Sequence, residues 1–339
     1  MSGSPIDQLP IDQMVAALKA AGEPTRLRIL ALLATSDLTV KDLTAILGQS
    51  QPRISRHLKL LVEAGLVRRF PEGAWAYYRL GDGGATTRLA GFLVDRIAGA
   101  DPVVSRDRAR REAVKRAHAE AAAAYFAENA ATWDRLRTLH VSEAAVEQAM
   151  RTAVGQKSFD ALLDIGTGTG RVLELFHDLY RRGVGVDASQ PMLAVARANL
   201  EQSGLSRAQV RHGDAYALDM PAGSFDLVTI HQVLHFLDEP ARVVQEAARA
   251  LRPSGRLLIV DFAPHDVEFL RADHAHRRLG FSHREVAAWI ATAGLELVSV
   301  TDLPPAPGSD GKLTVTLWLA RDPRFLIAAE DRRSMETVS

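Results

Sequence analysis

From Phe159 onward, short apolar runs alternate with stretches of helical periodicity: Ala161–Ile165, Gly183–Asp187, Gln209–Arg211, Phe225–Ile230, Arg256–Asp261, Leu295–Val300 and Leu313–Leu319. A strand buried on both faces reads as a near-continuous apolar run, and parallel neighbours need a helical crossover between them. The alternation therefore restricts this part of the chain to an α/β fold, a mostly parallel seven-stranded sheet covered on both faces. Only a loop rich in Pro, Gly, Ser and Asp separates the last two runs, so that pair is expected to be antiparallel.

The first of these runs leads into Asp164-Ile165-Gly166-Thr167-Gly168-Thr169-Gly170 and then a helix. Glycines there let the backbone turn tightly and come close to a ligand. Asp187 ends the next run, where a carboxylate can accept from both hydroxyls of a ribose. Asp214, in Gly213-Asp214-Ala215 after the third run, can accept from an adenine amino group. The glycine spacing is Gly-x-Gly-x-Gly with Arg171 following, whereas a nicotinamide dinucleotide fingerprint wants Gly or Ala there.

The first 80 residues read differently. Ile11, Met14, Val15 and Leu18 recur at helical spacing, and Glu23-Pro24 opens a second helix, since proline is tolerated in a first turn. Thr39-Val40-Lys41-Asp42 has the form of a capping box for a third helix. Ser50 is placed to cap a fourth, in which Ile54, Leu58 and Leu61 share the inward face. Gln51, Arg53, Ser55, Arg56 and Lys59 then turn outward or lie near the exposed start. Gln pairs bidentately with adenine edges, and Arg with guanine edges or phosphate. Leu66–Phe70 and Ala74–Leu80 read as a hairpin placing Arg69, Arg79 and Tyr77 or Tyr78 near a nucleic-acid backbone. Between Arg53 and Gly81 six Lys or Arg stand against two acids, although the formal net charge of the 339-residue chain is zero.

The phrases Glu23-Pro24-Thr25-Arg26-Leu27-Arg28-Ile29-Leu30 and Ser55-Arg56-His57-Leu58-Lys59-Leu60-Leu61 resemble the ArsR/SmtB family of winged-helix repressors. The resemblance implies a homodimer on double-stranded, palindromic operator DNA, with His57 in the recognition segment. Metalloid-sensing members carry cysteines where this chain has Leu38-Thr39-Val40-Lys41-Asp42. Others use Asp and His on a later helix, where Arg88–Ala98 offers only Asp95. No metal site is expected.

Residues 159–320 resemble class I methyltransferases, which implies a Rossmann-like domain with S-adenosylmethionine or S-adenosylhomocysteine as ligand. By that resemblance Asp164 lies near the amino group and Gly166, Thr167, Gly168 and Gly170 surround the methionine part. Asp187, Ala188 and Met192 fall on the ribose side, Asp214 and Ala215 at adenine, and His231 beside the ligand. Tyr125-Phe126 and Trp133-Asp134 resemble an amino-terminal lid segment, or are core aromatics of the joining helix. The expected domains are a winged helix over 1–83, a helical linker, dimerisation and lid region over 84–155, the methyltransferase-like domain over 156–325, and a tail over 326–339.

The chain contains no cysteine, which removes disulfides, thiolate metal sites, cysteine nucleophiles and thiol-based arsenic methylation together. No apolar run is long enough to span a bilayer, and Met1–Pro10 carries no basic stretch followed by an apolar one, so a cytoplasmic protein is expected. His231 and His235 flank the mouth of the ligand site and are candidates for a catalytic base, or are structural. His265, His274, His276 and His283 with Asp266 and Asp273 form a segment without metal-site spacing, read as a substrate lid or loop. Two functions follow. In one, the second domain senses S-adenosylmethionine or S-adenosylhomocysteine and changes DNA affinity, with methionine-cycle genes as targets. In the other, it is an active methyltransferase on a small-molecule acceptor, and the winged helix is autoregulatory.

Overall fold

The computed structural model describes residues 8–72, 75–81, 84–130, 143–305 and 313–324. Trp133-Asp134 and the tail after Arg324 lie outside them. The chain divides into two compact units. The first runs to Ala122 and also takes in Asp266–Ala275; the second holds Ala123–His265 and the chain from His276 onward.

In the first unit, helices Ile11–Ala21, Pro24–Leu33, Val40–Leu47 and Gln51–Glu63 precede a hairpin of β2 (Val67–Glu72) and β3 (Trp75–Leu80). Each helix start has a local cause. The Glu23 carboxylate accepts from the Arg26 amide ahead of Pro24. Thr39 and Asp42 form a complete capping box, each side chain accepting from the other's amide. Ser50 occupies the N-cap of the fourth helix but makes no side-chain cap bond. A short strand that the sequence did not announce, β1 (Leu38–Thr39), pairs antiparallel with β3 and makes the wing three-stranded, in the order β1-β3-β2. Ile29, Leu30, Leu43, Ile46, Ile54, Leu58 and Leu61 are fully buried between these elements.

Helix Ala85–Asp95 follows, then the 28-residue helix Pro102–Asn129. The latter is fixed to the first unit by polar contacts. Arg28 grips the buried Asp107 as a fork at 2.6 and 2.7 Å, Arg110 donates to the Ile46 carbonyl, and Arg111 donates to Thr35. Removing one partner of such a buried pair strands the other charge, so it fixes position more firmly than it adds net stability. In the Asp266–Ala275 excursion, Arg271 lies 4.6 Å from the centre of the Trp75 ring. The expected lid segment is thus divided, its middle grouping with the first unit and its ends with the second.

The second unit is a seven-stranded sheet in the order β6-β5-β4-β7-β8-β10-β9. Its strands are β4 (Phe159–Ile165), β5 (Tyr180–Asp187), β6 (Ala208–His212), β7 (Phe225–His231), β8 (Leu251–Phe262), β9 (Glu296–Leu303) and β10 (Val315–Arg321). The first five are parallel; β10 runs antiparallel to both β8 and β9. Leu163, Ile165, Val228, Ile230, Leu257, Ile259 and Trp318 fill the core. The chain moves from β4 outward to β5 and β6, then returns to place β7 on the other side of β4. At such a reversal of strand order the carboxyl ends of neighbouring strands diverge and leave a crevice for a ligand.

Candidate functional site

Three carboxylates stand at the carboxyl ends of three adjacent parallel strands: Asp164 on β4, Asp187 on β5 and Asp214 just beyond β6. Asp164 is buried, and Thr229 of the neighbouring β7 donates to it at 2.6 Å. Asp187 is held at both oxygens, Oδ2 accepting from the Gly168 amide and Oδ1 from the Ser189 amide, each at 2.8 Å. Burial pushes its carboxyl above the ordinary value, and those two amides offset part of that rise. Asp214 is exposed and accepts from the Tyr216 amide.

Between Asp164 and the short helix Arg171–Leu175 the backbone turns through Gly166, Gly168 and Gly170, all with positive φ. Gly166 is also sterically required, because a Cβ there would run into Val233. The Gly166 and Thr167 amides both donate to the Val186 carbonyl, which draws the turn over the end of β5. Thr167 is buried, and its hydroxyl has no hydrogen-bond partner among the described residues. Ala188 is exposed, Ala215 half-buried, and Met192 buried in the core with its amide capped by Ser189.

This donor set fits S-adenosylmethionine. A buried carboxylate suits an ammonium group, a fixed carboxylate with lone pairs to spare suits two ribose hydroxyls, and the close turn admits a chain passing over it.

His231 ends β7, half-buried, and is followed by Gln232 with a positive φ of 54°. A backbone strained at that point, against the glycine turn, is typical of a site rather than of a connection. His235 lies in the single 3₁₀ turn Leu234–Phe236 and is almost wholly buried. Its Nδ1 meets Asp261 Oδ1 at 2.7 Å. Asp261 is the residue the sequence reading missed. Its one signal was a charged residue closing the apolar run Leu257–Val260, and only the β7–β8 register (His231 opposite Val260) brings it to His235. Among the described residues no group of three His, Asp or Glu is placed to hold a metal ion.

In the first unit, Gln51, Arg53, Ser55, Arg56 and Lys59 are exposed along helix Gln51–Glu63, and Arg69 is exposed on β2. His57 instead turns inward to 3.7 Å from Glu23, and burial lowers its affinity for a proton. Arg79 is half-buried; it pairs with Asp37 at 3.0 Å and lies over the Phe70 ring. Tyr77 and Tyr78 are both buried. The outward row is thus the helix and Arg69, while Arg79 is paired within the wing and both tyrosines are buried, Tyr78 in the apolar core of the unit.

Residues 163–259 match the methyltransferase domain model, and residues 23–69 match the model of bacterial regulatory proteins of the arsR family. Over 154 residues the chain is 37% identical to phosphatidylethanolamine N-methyltransferase of Cereibacter sphaeroides, covering 43% of this chain and 74% of that one. It is 35% identical to the uncharacterized methyltransferase YcgJ of Bacillus subtilis, over 31% of this chain and 42% of YcgJ. The match thus spans less than half the length of that relative. Among solved structures, a chain in the complex of the Haloferax volcanii Trm112 methyltransferase activator superposes with a TM-score of 0.50 at 21% identity. That match covers 59% of this chain and 98% of the other, and shows the fold alone. The chain belongs to the class I S-adenosylmethionine-dependent methyltransferases, and it carries an arsR-type DNA-binding helix-turn-helix domain at its N-terminus.

Proposed function

We propose that this chain is an active S-adenosylmethionine-dependent methyltransferase on a small-molecule acceptor, and that its N-terminal domain binds operator DNA. The observation that carries the reading is the set of carboxylates at the ends of β4, β5 and β6 around the glycine turn. In this reading Asp164 holds the ligand's amino group, with Thr167 offering its hydroxyl, and Gly166, Gly168 and Gly170 let the methionine part pass. Asp187 takes the ribose, Ala188 and Met192 shape that side, Asp214 and Ala215 take the adenine, and His231 lies beside the sulfur. The bound group supplies the methyl. The protein supplies orientation and exclusion of water, which is most of what methyl transfer needs. Both curated relatives compared above are named as methyltransferases, which favours turnover over sensing alone.

The exposed row Gln51, Arg53, Ser55, Arg56 and Lys59 supports a second reading on the same chain, a sensor in which S-adenosylmethionine or S-adenosylhomocysteine alters operator affinity. Linkage requires only that the ligand bind the two DNA-binding states unequally. Both readings place the protein in the cytoplasm as a homodimer; no described helix is long and apolar enough to cross a membrane.

One experiment separates them. Ligand affinities are measured by calorimetry and methyl transfer with radiolabelled S-adenosylmethionine. Anisotropy of a fragment upstream of the gene is followed with and without each ligand, with Arg56→Ala as the DNA-blind control. Turnover with unchanged DNA affinity is the expected outcome. A large ligand-dependent shift without turnover would establish the sensor, and failure to bind either ligand would end both readings.

A further inference from the structure

Beside the cofactor turn, within the second unit, lies a cluster of rings built around one buried carboxylate. Asp261 accepts from the Leu234 amide at 3.0 Å, from the Phe262 amide at 2.8 Å and from His235 at 2.7 Å. Two backbone amides and the imidazole thus hold the fully buried carboxylate in one orientation. With Asp261 Oδ1 as acceptor, the His235 tautomer is fixed: Nδ1 carries the hydrogen and donates, and Nε2, on the far side of the ring, keeps its lone pair. His276 lies over the same imidazole with ring centres 4.2 Å apart, and its position is fixed by the Arg277 and Arg278 amides, which both donate to the His235 carbonyl. Around this pair are Phe236 and Phe262, and Phe126 meets Phe236 edge-on at 4.8 Å. Phe126 and Phe236 are only half-buried. The cluster is joined to the cofactor turn through Val233, two residues before His235, whose side chain occupies the space beside Gly166.

Resting on the methyltransferase reading above, we propose that His235, oriented by Asp261, is the general base of the reaction, and that the acceptor is an aryl hydroxyl whose ring lies against Phe126 and Phe236. A neutral phenol is a poor nucleophile, and a positioned base that takes its proton as the new bond forms removes that obstacle. In the step, the acceptor O–H breaks and its proton passes to Nε2. The acceptor oxygen bonds to the methyl carbon, and the carbon–sulfur bond breaks with its pair on sulfur. The positive charge lost at sulfur reappears on the imidazole, where Asp261 stabilises it. Asp261 is a positioning residue, acting through His235.

The test uses the full chain with S-adenosylmethionine and a panel of acceptors. The panel is 4-methoxyphenol and 1-naphthol, which stay protonated; 4-nitrophenol at mildly alkaline pH, which is already ionised; and ethanolamine and cyclohexanol as non-aromatic contrasts. The parent is expected to methylate the phenols. His235→Asn, whose amide can still donate to Asp261, should lose about 10²-fold on 4-methoxyphenol and far less on 4-nitrophenol. Asp261→Asn should show the same acceptor dependence. Equal losses on both phenols would reduce the pair to a structural role and overturn the assignment. Should a variant fail to fold, the parent still decides: a solvent isotope effect with 4-methoxyphenol that vanishes with 4-nitrophenol supports the base, and none with either overturns it. A parent that binds S-adenosylmethionine but methylates no phenol overturns this inference and leaves the methyltransferase reading standing. A parent that does not bind S-adenosylmethionine removes that reading itself.

Discussion

Asp187 is costly to the folded protein in the absence of a ligand. Its carboxyl is pushed up by burial, with the Gly168 and Ser189 amides offsetting part of the effect. A carboxylate raised on folding contributes stability below its unfolded value, near 3.9, and that contribution is lost as pH rises through the folded value. At neutral pH the charged group is therefore held at a cost, which the ribose hydroxyls would offset by hydrogen bonding to it. Asp187→Ala should weaken S-adenosylhomocysteine binding by about 100-fold, from two charge-assisted bonds of about 1.5 kcal/mol each. Calorimetry checks this, and an unchanged affinity would remove Asp187 from the site. On acidification, ligand affinity should start to fall at a higher pH than an ordinary aspartate would give. At this scale Asp164, Asp187 and the glycines were legible because strand ends and turns leave a mark in sequence. Asp261, Thr229 and Val233 were not. Their parts depend on which strands lie side by side, and nothing local records that. Arg79 shows the converse, a basic residue in a basic stretch that the fold pairs with Asp37.

The glycine turn and the wing show how much of an element is written locally. The capping box at Thr39 and Asp42 is closed between residues three apart, so it reads directly from the chain. Strand β1 is two residues long and exists only because β3 lies beside it, so no periodicity announces it. Gly166 combines both kinds of cause. Its φ of 71° is a local demand, and its lack of a side chain makes room for Val233, 67 positions away. Gly166→Ala should cost about 2–4 kcal/mol, the sum of a left-handed backbone penalty and an overpacked contact. Thermal unfolding measures it. Adding Val233→Ala should recover the packing share and leave the backbone share, a coupling that a double-mutant cycle isolates.

At the scale of the whole molecule, the helix Ile11–Ala21 carries Ile11, Val15 and Leu18 exposed at successive turns of one face, and Phe92 is exposed on the Ala85–Asp95 helix that touches it. A row of large apolar side chains facing water is the mark of an association surface. It accords with the homodimer put forward above. Leu18→Glu, present twice in such a dimer, should raise its dissociation constant by at least about 100-fold, since each buried leucine is worth about 1.5–3 kcal/mol. Sedimentation at several concentrations would show it, and an unchanged association state would place the interface elsewhere. The order of modules and the α/β class were readable because each has its own periodicity. The fork of Arg28 on Asp107, 79 residues apart, was not, because two charges in different helices carry no sign of meeting.

The first unit takes in Asp266–Ala275, with Arg271 over the ring of Trp75. On the ribosome this has a consequence for timing. Domains usually fold in the order they emerge, N-terminal first. Here the N-terminal module receives its last strand-side contact only after five of the seven sheet strands of the second unit have been synthesised. The three wing strands are all synthesised by Leu80, so what a polypeptide broken off before Arg271 would leave the ribosome without is the guanidinium over the Trp75 ring.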